Sequence, residues 1–210
     1  MKYIIMCGGQ YRRWKTPKHL LEVGGEPIVA RTIRLLKDNG VTDIAISAHD
    51  ERFERFGVPV LKHDNFYYVR RYNEIDGHWA NAFYPMDEPV CYIFGDVIFS
   101  SQAIKKIVET PTDDIELFGS APPFHKDYPK DHEEPFALKV WDIDHLHESV
   151  KYIKEHAEEC WRKPLVWELW CVIKGRRIDI RDYQVDYTII NDYTCDIDDK
   201  KDIANIKRVK

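Results

Sequence analysis

With 210 residues, 44% of them hydrophobic and 32% charged, the chain has an ordinary globular composition and is long enough for one sizeable core. No apolar run approaches the length of a membrane span, and the apolar start is too short for a secretory signal. A formal net charge of −5, with no basic tract beyond the first loop, speaks against nucleic acid as the main partner.

Tyr3 to Cys7 is a short apolar run and predicts a buried first strand. Gly8-Gly9 closes it, and paired glycines let a ligand approach the backbone closely. Arg12, Arg13, Lys15 and Lys18 follow, so residues 1–20 carry five Lys/Arg and no Asp/Glu in an acidic chain. A cationic loop just past a strand suits a small polyanion, and triphosphate is the natural candidate. Pro27 to Asn39 has Val29, Ile33 and Leu36 at helical spacing, with Gly40 as its stop. Thr42 to Ala48 reads as the second strand, which implies a right-handed parallel crossover from the first. A short polar helix (Asp50 to Phe56), a third strand (Val58 to Leu61), a tyrosine-rich irregular stretch (Asp64 to Asp76) and a short helix (Gly77 to Pro85) come next.

Val90 to Asp96 is the clearest buried strand, with an acid at its C-terminal end. Ser100 or Ser101 caps a helix to about Glu109. Strands follow at Ile115 to Ala121 and Phe136 to Trp141, around a polar loop from Pro122 to Pro135. Helices are predicted over Asp144 to Cys160 and Leu165 to Lys174, late strands at Arg177 to Ile180 and Asp186 to Ile190, and a last helix over Lys200 to Lys207. The pattern is α/β, a single-domain Rossmann-like three-layer sandwich around a central mixed, mainly parallel sheet. The five scattered cysteines lack a Cys-x-x-Cys pair and read as reduced thiols in the cytoplasm. His125, His132, His145 and His147 have no metal-ligand spacing and read as solvated surface.

Gly8-Gly9, Arg13, Pro17-Lys18, Leu20, Gly24-Gly25 and Pro27 resemble the N-terminal signature of nucleotidyltransferases that join an NTP to a phosphorylated small molecule. Tyr11 stands where that signature usually has its third glycine. The Gly95-Asp96 segment resembles the family's metal-holding Gly-Asp, and Asp196-Ile197-Asp198 resembles its closing Asp-Val-Asp. The resemblance implies a nucleotide-diphospho-sugar-transferase type of fold of the glycosyltransferase-A kind, one domain over 1–210. Residues 1–110 would then form a nucleotide-binding half and 111–210 an acceptor half that supplies the second metal ligand. It further implies Mg²⁺ on Asp96 and Asp198, Arg13 on the β/γ-phosphates and Lys18 on the α-phosphate. Cys7, Gly8, Gly9, Gln10, Tyr11 and Arg12 would line the phosphates; Asn73, Gly77, His78, Trp79 and Asn81 would meet base and ribose. Lys139, Trp141, Trp167 and Glu168 would take the acceptor. The implied reaction is NTP-dependent, with CTP favoured, and makes an activated precursor for surface polysaccharide or envelope in a cytoplasmic monomer or homodimer, without nucleic acid or membrane.

Each of these residues has a plainer reading. Asp96 can cap the following helix, and Asp198 can sit in a helix first turn, where acids suit the dipole. Asp196 rivals Asp198 as the second ligand. Arg12 and Lys15 fit equally as solvated charges, Trp79 as packing, and the later tryptophans as core. A molybdenum-cofactor guanylyltransferase, with its short gap between the Arg13 and Lys18 positions, stays open. So do a glycosyltransferase, which usually presents Asp-x-Asp, and an inactive nucleotide sensor with Tyr11 filling the loop.

Overall fold

A computed structural model describes residues 1–8, 16–62, 82–121, 133–180, 186–198 and 202. Strand β1 (Lys2–Met6) forms because Tyr3, Ile4, Ile5 and Met6 all have apolar surface to bury, and it lies between β4 (Ile44–Ser47) and β6 (Val90–Phe94), parallel to both. A seven-stranded sheet grows around these three, in the order β10-β8-β9-β6-β1-β4-β5. Its other members are β5 (Val60–Leu61), β8 (Ile115–Ser120), β9 (Glu134–Val140) and β10 (Thr188–Ile189). Among the described strands of this sheet only β9 runs against the rest. Strands β4 and β6 are buried along their whole length, which requires cover on both faces.

Helices α1 (Ile28–Asp38) and α2 (Ser101–Glu109) pack together as one pair, α3 (Ile143–Glu155) and α4 (Val166–Ile173) as another, and complete the three-layer α/β architecture. Helix α1 turns Ile28, Val29, Ile33 and Leu36 inward, and α2 turns Ala103, Ile104 and Ile107. Ser100 caps α2, its Oγ accepting from Ala103 N at 2.9 Å. Before α1, β2 (Glu22–Val23) and β3 (Glu26–Pro27) form a hairpin whose two-residue turn places Gly24 and Gly25 at φ +62° and +85°. Both positions need positive φ, so both are glycine.

The late part of the chain differs from the sequence expectation. Helix α3 starts at Ile143, one residue before the expected Asp144, capped by Asp142, whose Oδ1 accepts from His145 N at 2.9 Å. The helix stops at Glu155 because His156 turns back: its ring stacks on Tyr152 at 4.1 Å and its Nδ1 pairs with Glu159 at 2.7 Å, which tightens Ala157–Glu159 into a 3₁₀ turn. Arg177 to Ile180 is not a strand. Arg177 closes on Asp179 locally, and Ile178 accepts from Trp161 N instead of pairing with a sheet. His145 is not simply solvated, since its Nδ1 meets Asp114 at 2.7 Å. The stretch 64–76, all of the helix at 200–207 except Asp202, and most of the helix at 77–85 and of the loop at 122–135 lie outside the described residues. Among the described residues no helix is long and apolar enough to cross a membrane.

Candidate active site

Parallel strands deliver their C-terminal ends to one edge of the sheet, the edge where open α/β folds bind ligands. Here that edge carries Cys7-Gly8 after β1 and Gly95-Asp96 after β6. The two ends are drawn together, with Gly95 N donating to Met6 O at 3.1 Å. The approach leaves no room for a side chain at Gly95. A Cβ there would run into Met6 O and stand 2.8 Å from Cys7 Sγ and 3.0 Å from the His19 ring. Asp96 is thereby fixed beside the start of the Gly8 loop.

Pro17 turns the chain into a 3₁₀ helix (Lys18–Leu20) that crosses this edge. His19 turns inward, buried and edge-on to Phe53 at 5.9 Å, and Lys18 turns toward Asp96. Lys18 Nζ donates to Asp96 Oδ2 at 2.6 Å, to Ile197 O at 2.9 Å and to Asp198 Oδ1 at 3.4 Å. Asp198 reaches the site through a long return. Strand β11 (Cys195–Asp196) pairs antiparallel with β7 (Val97–Ile98), and Ile197 N donates to Asp96 O at 3.0 Å. Upstream the same segment is latched to the α2 cap. Ser100 Oγ donates to Asp192 Oδ2 at 2.5 Å, and Ser100 N to Thr194 Oγ1 at 3.0 Å.

The electrostatics follow from this crowding. Burial alone would lower the Lys18 pKa, but Asp96, Asp198 and Asp196 together hold the amine protonated well above its ordinary range. Asp198 is pushed above the usual carboxylate range by partial withdrawal from water and by Asp196 and Asp96, against the pull of Lys18. Its side chain is 69% exposed, so the neighbouring carboxylates are the stronger physical ground. Burial lowers His19 to about 4, leaving a neutral imidazole. Burial, then Asp96, raises the Cys7 thiol, which stays protonated and unreactive. Among the described residues no three His, Cys, Asp or Glu side chains form a ready-made metal cage. Asp96 and Asp198 do offer hard oxygens on either side of one cation. That donor set fits Mg²⁺, which takes one or two carboxylates and fills its shell with water and phosphate oxygens.

A family model, the MobA-like NTP transferase domain, matches residues 3–110, over half of the chain. The chain belongs to the MobA-like NTP transferase family. It is a nucleotidyltransferase. The match takes in Cys7, Gly8, Lys18 and Asp96 and ends just past α2, so Asp198 reaches the site from outside it. No curated protein matches the sequence. Solved structures share the fold at low identity. A Bacillus anthracis protein assigned as a glucose-1-phosphate thymidylyltransferase, solved with sucrose, is 18% identical at a TM-score of 0.61, over 98% of this chain and 93% of its own. The 4-diphosphocytidyl-2C-methyl-D-erythritol synthase of Anaerococcus prevotii is 11% identical at 0.55, over 97% and 94%. HddC of Yersinia pseudotuberculosis, solved with GMP-PN, is 14% identical at 0.54, over 100% and 99%.

In this MobA-like NTP transferase chain the predicted residues divide, some inside the matched stretch and some beyond it. Lys18, Asp96 and Asp198 meet, with Cys7 and Gly8 beside them. Gly9, Gln10, Tyr11, Arg12, Arg13, Asn73, Gly77, His78, Trp79 and Asn81 lie outside the described residues. The proposed acceptor set does not converge. Lys139 is buried, and its amine donates to the carbonyls of Ile107, Val108 and Thr110, where it closes the C-terminus of α2. Trp141 follows Val140, which pairs with the first residue of β6, so it sits at the opposite end of the sheet from Asp96. Glu168 is buried and reaches back to Leu165 N at 2.8 Å, while also accepting from Trp161 and Arg162. It caps its own helix. Trp167 alone lies toward the ligand edge, packed on Tyr187, whose hydroxyl donates to Ser120 O at 3.0 Å. The sequence reading missed His19 and the Ile197 carbonyl. The first was signalled by its place between Lys18 and two leucines, the second by nothing local.

Proposed function

We propose that the chain is a Mg²⁺-dependent nucleotidyltransferase that couples CTP to a small phosphorylated acceptor, a sugar phosphate or alcohol phosphate, for a surface-polysaccharide or envelope precursor. An acceptor phosphate oxygen attacks the α-phosphorus of the nucleotide. The new P–O bond forms as the bond to the α,β-bridging oxygen breaks, and pyrophosphate leaves with the electron pair. Two anions must meet, so positioning and charge compensation carry the catalysis, with no protein nucleophile. The observation that carries this reading is the meeting of Lys18, Asp96 and Asp198 at the sheet's ligand edge, residues separated by up to 180 positions in sequence.

In this reading Asp96 and Asp198 hold the metal, which when bound offsets charge on the reacting phosphates. Lys18 takes the α-phosphate and Arg13 the β/γ-phosphates. Backbone donors of Gly8, Gly9 and Gln10 surround them, with Cys7, Tyr11 and Arg12 alongside. Residues 73–81, with Asn73, Gly77, His78, Trp79 and Asn81, select the nucleoside. The acceptor half, residues 111–210, contributes the rest of the edge near Ser120, Tyr187 and Trp167. A second reading, guanylyl transfer of the molybdenum-cofactor kind, is favoured by the family match and the short gap from Arg13 to Lys18. The deciding experiment is pyrophosphate release with Mg²⁺, each of CTP, GTP, UTP, ATP and dTTP, and a panel of phosphorylated acceptors. Turnover with CTP and one acceptor is the expected result; turnover with GTP alone selects the second reading, and no binding of any NTP overturns both.

A further inference from the structure

An ammonium has three N–H donors. In Lys18 all three are engaged within the protein, by Asp96, Asp198 and the Ile197 carbonyl. In this arrangement Lys18 cannot bind a phosphate oxygen without releasing one of those acceptors. Two of the three are the carboxylates assigned to the metal, so the ammonium and a divalent ion compete for the same oxygens. The backbone of Lys18 is held in place. His19 is buried beside it, and Leu21 N donates to Lys18 O at 3.0 Å. Any exchange therefore falls to the flexible four-carbon stem, not to the loop.

We propose that Lys18 is the resident counter-ion of the metal-free site, displaced from Asp96 and Asp198 by the divalent ion and thereby freed for the nucleotide. The proposal rests on the reading of those two aspartates as metal ligands. Its physical basis is charge balance. Asp96 and Asp198 flank one ammonium, and Asp196 pairs with Val97, the residue after Asp96, so without a cation among them carboxylate repulsion would strain the two-residue β7–β11 ladder that leads to Asp198. Lys18 supplies that cation, at the cost of weakened affinity for metal alone. A metal that takes its place leaves the ammonium with only the Ile197 carbonyl of its three acceptors, and nucleotide phosphate then satisfies the other donors. Metal and nucleotide are therefore positively coupled, each raising the affinity for the other by the same factor.

The test is Mn²⁺ binding to the full chain without nucleotide, followed by the electron paramagnetic resonance signal of the free ion. Wild type, Lys18→Met, Lys18→Gln, Lys18→Arg and Asp96→Asn are compared, each checked for native circular dichroism. Removing the competing cation should tighten Mn²⁺ binding about tenfold in Lys18→Met and Lys18→Gln, since an uncompensated carboxylate pair regains its counter-ion. Lys18→Arg should bind no more tightly than wild type. Equal or weaker binding in both neutral variants, with binding still lost in Asp96→Asn, overturns the counter-ion role and leaves the metal reading standing. Mn²⁺ binding that ignores Asp96 in every protein overturns the metal reading itself. In the unaltered protein, Mn²⁺ should also raise the acylation of the Lys18 amine by acetic anhydride, read by peptide mass; unchanged labelling counts against displacement.

Discussion

Gly95 shows how much of the site depends on one missing side chain. Gly95→Ala puts a methyl group against Met6 O, Cys7 Sγ and the His19 ring, all held by sheet or core. Overpacking of this kind costs about 1–3 kcal/mol, and here the displaced residue is the neighbour of Asp96. The unfolding free energy read from urea titration should fall by that amount, with turnover lost more steeply than stability. Asp96→Asn separates the two effects, since it keeps the volume and removes the charge. It should cost at least about 100-fold in turnover, on the scale of losing one preorganised electrostatic contact, with circular dichroism unchanged. His19 gives a pH signature. Its folded pKa, about 4, lies below the ordinary 6.5, so between those values the unfolded chain binds more protons than the folded one. Stability from this residue is fully present above pH 6.5 and is lost as pH falls toward 4. Comparing urea unfolding at pH 7 and pH 4.5, wild type should lose about 2 kcal/mol more than His19→Leu; equal losses would mean that the imidazole titrates normally.

At the level of elements, what each helix end does explains which parts of the chain were legible. Strand β6, helix α1 and helix α2 follow from local period and local punctuation, because Ser100 and the apolar positions act within a few residues. The destinations of Lys139 and Glu168 do not. In sequence, a lysine beside Trp141 and a glutamate between tryptophans look like ligand contacts. In the fold they close helix ends, because burial in a packed α/β layer forces each charged group to find backbone partners. The β11 ladder was legible only as an acidic motif, since its pairing with β7 is set about 100 residues away. Lys139→Met tests the reassignment. Removing an amine that serves three carbonyls should cost about 2 kcal/mol of stability. Per folded molecule, the KM for the acceptor should stay at the wild-type value; a raised KM would return Lys139 to the acceptor site.

For the molecule as a whole, the site joins parts far apart in sequence: the ends of the neighbouring strands β1 and β6 supply Gly8 and Asp96, and a returning C-terminal segment, paired with β7 outside the seven-stranded sheet, supplies Asp198. This architecture decides what metal should do to stability. Were the ion a structural clamp between the two parts, a chelator would loosen the return segment and lower the melting temperature. But the segment already has other ties, from Asp192 and Thr194 to Ser100, from Ile197 to Asp96, and from Lys18 to Ile197. Chelator alone should therefore leave the melting temperature unchanged. Mg²⁺ or nucleotide added singly should raise it little, because each meets a site that Lys18 still occupies. Added together at about 100 times the dissociation constant, they should stabilise the native state by about 2.7 kcal/mol through mass action. For a chain of this size that corresponds to a rise of about 5–10 °C. A scan with chelator, with each component and with both distinguishes the cases: a fall with chelator would mark the metal as structural, and equal shifts from the single additions would mean that metal and nucleotide bind independently.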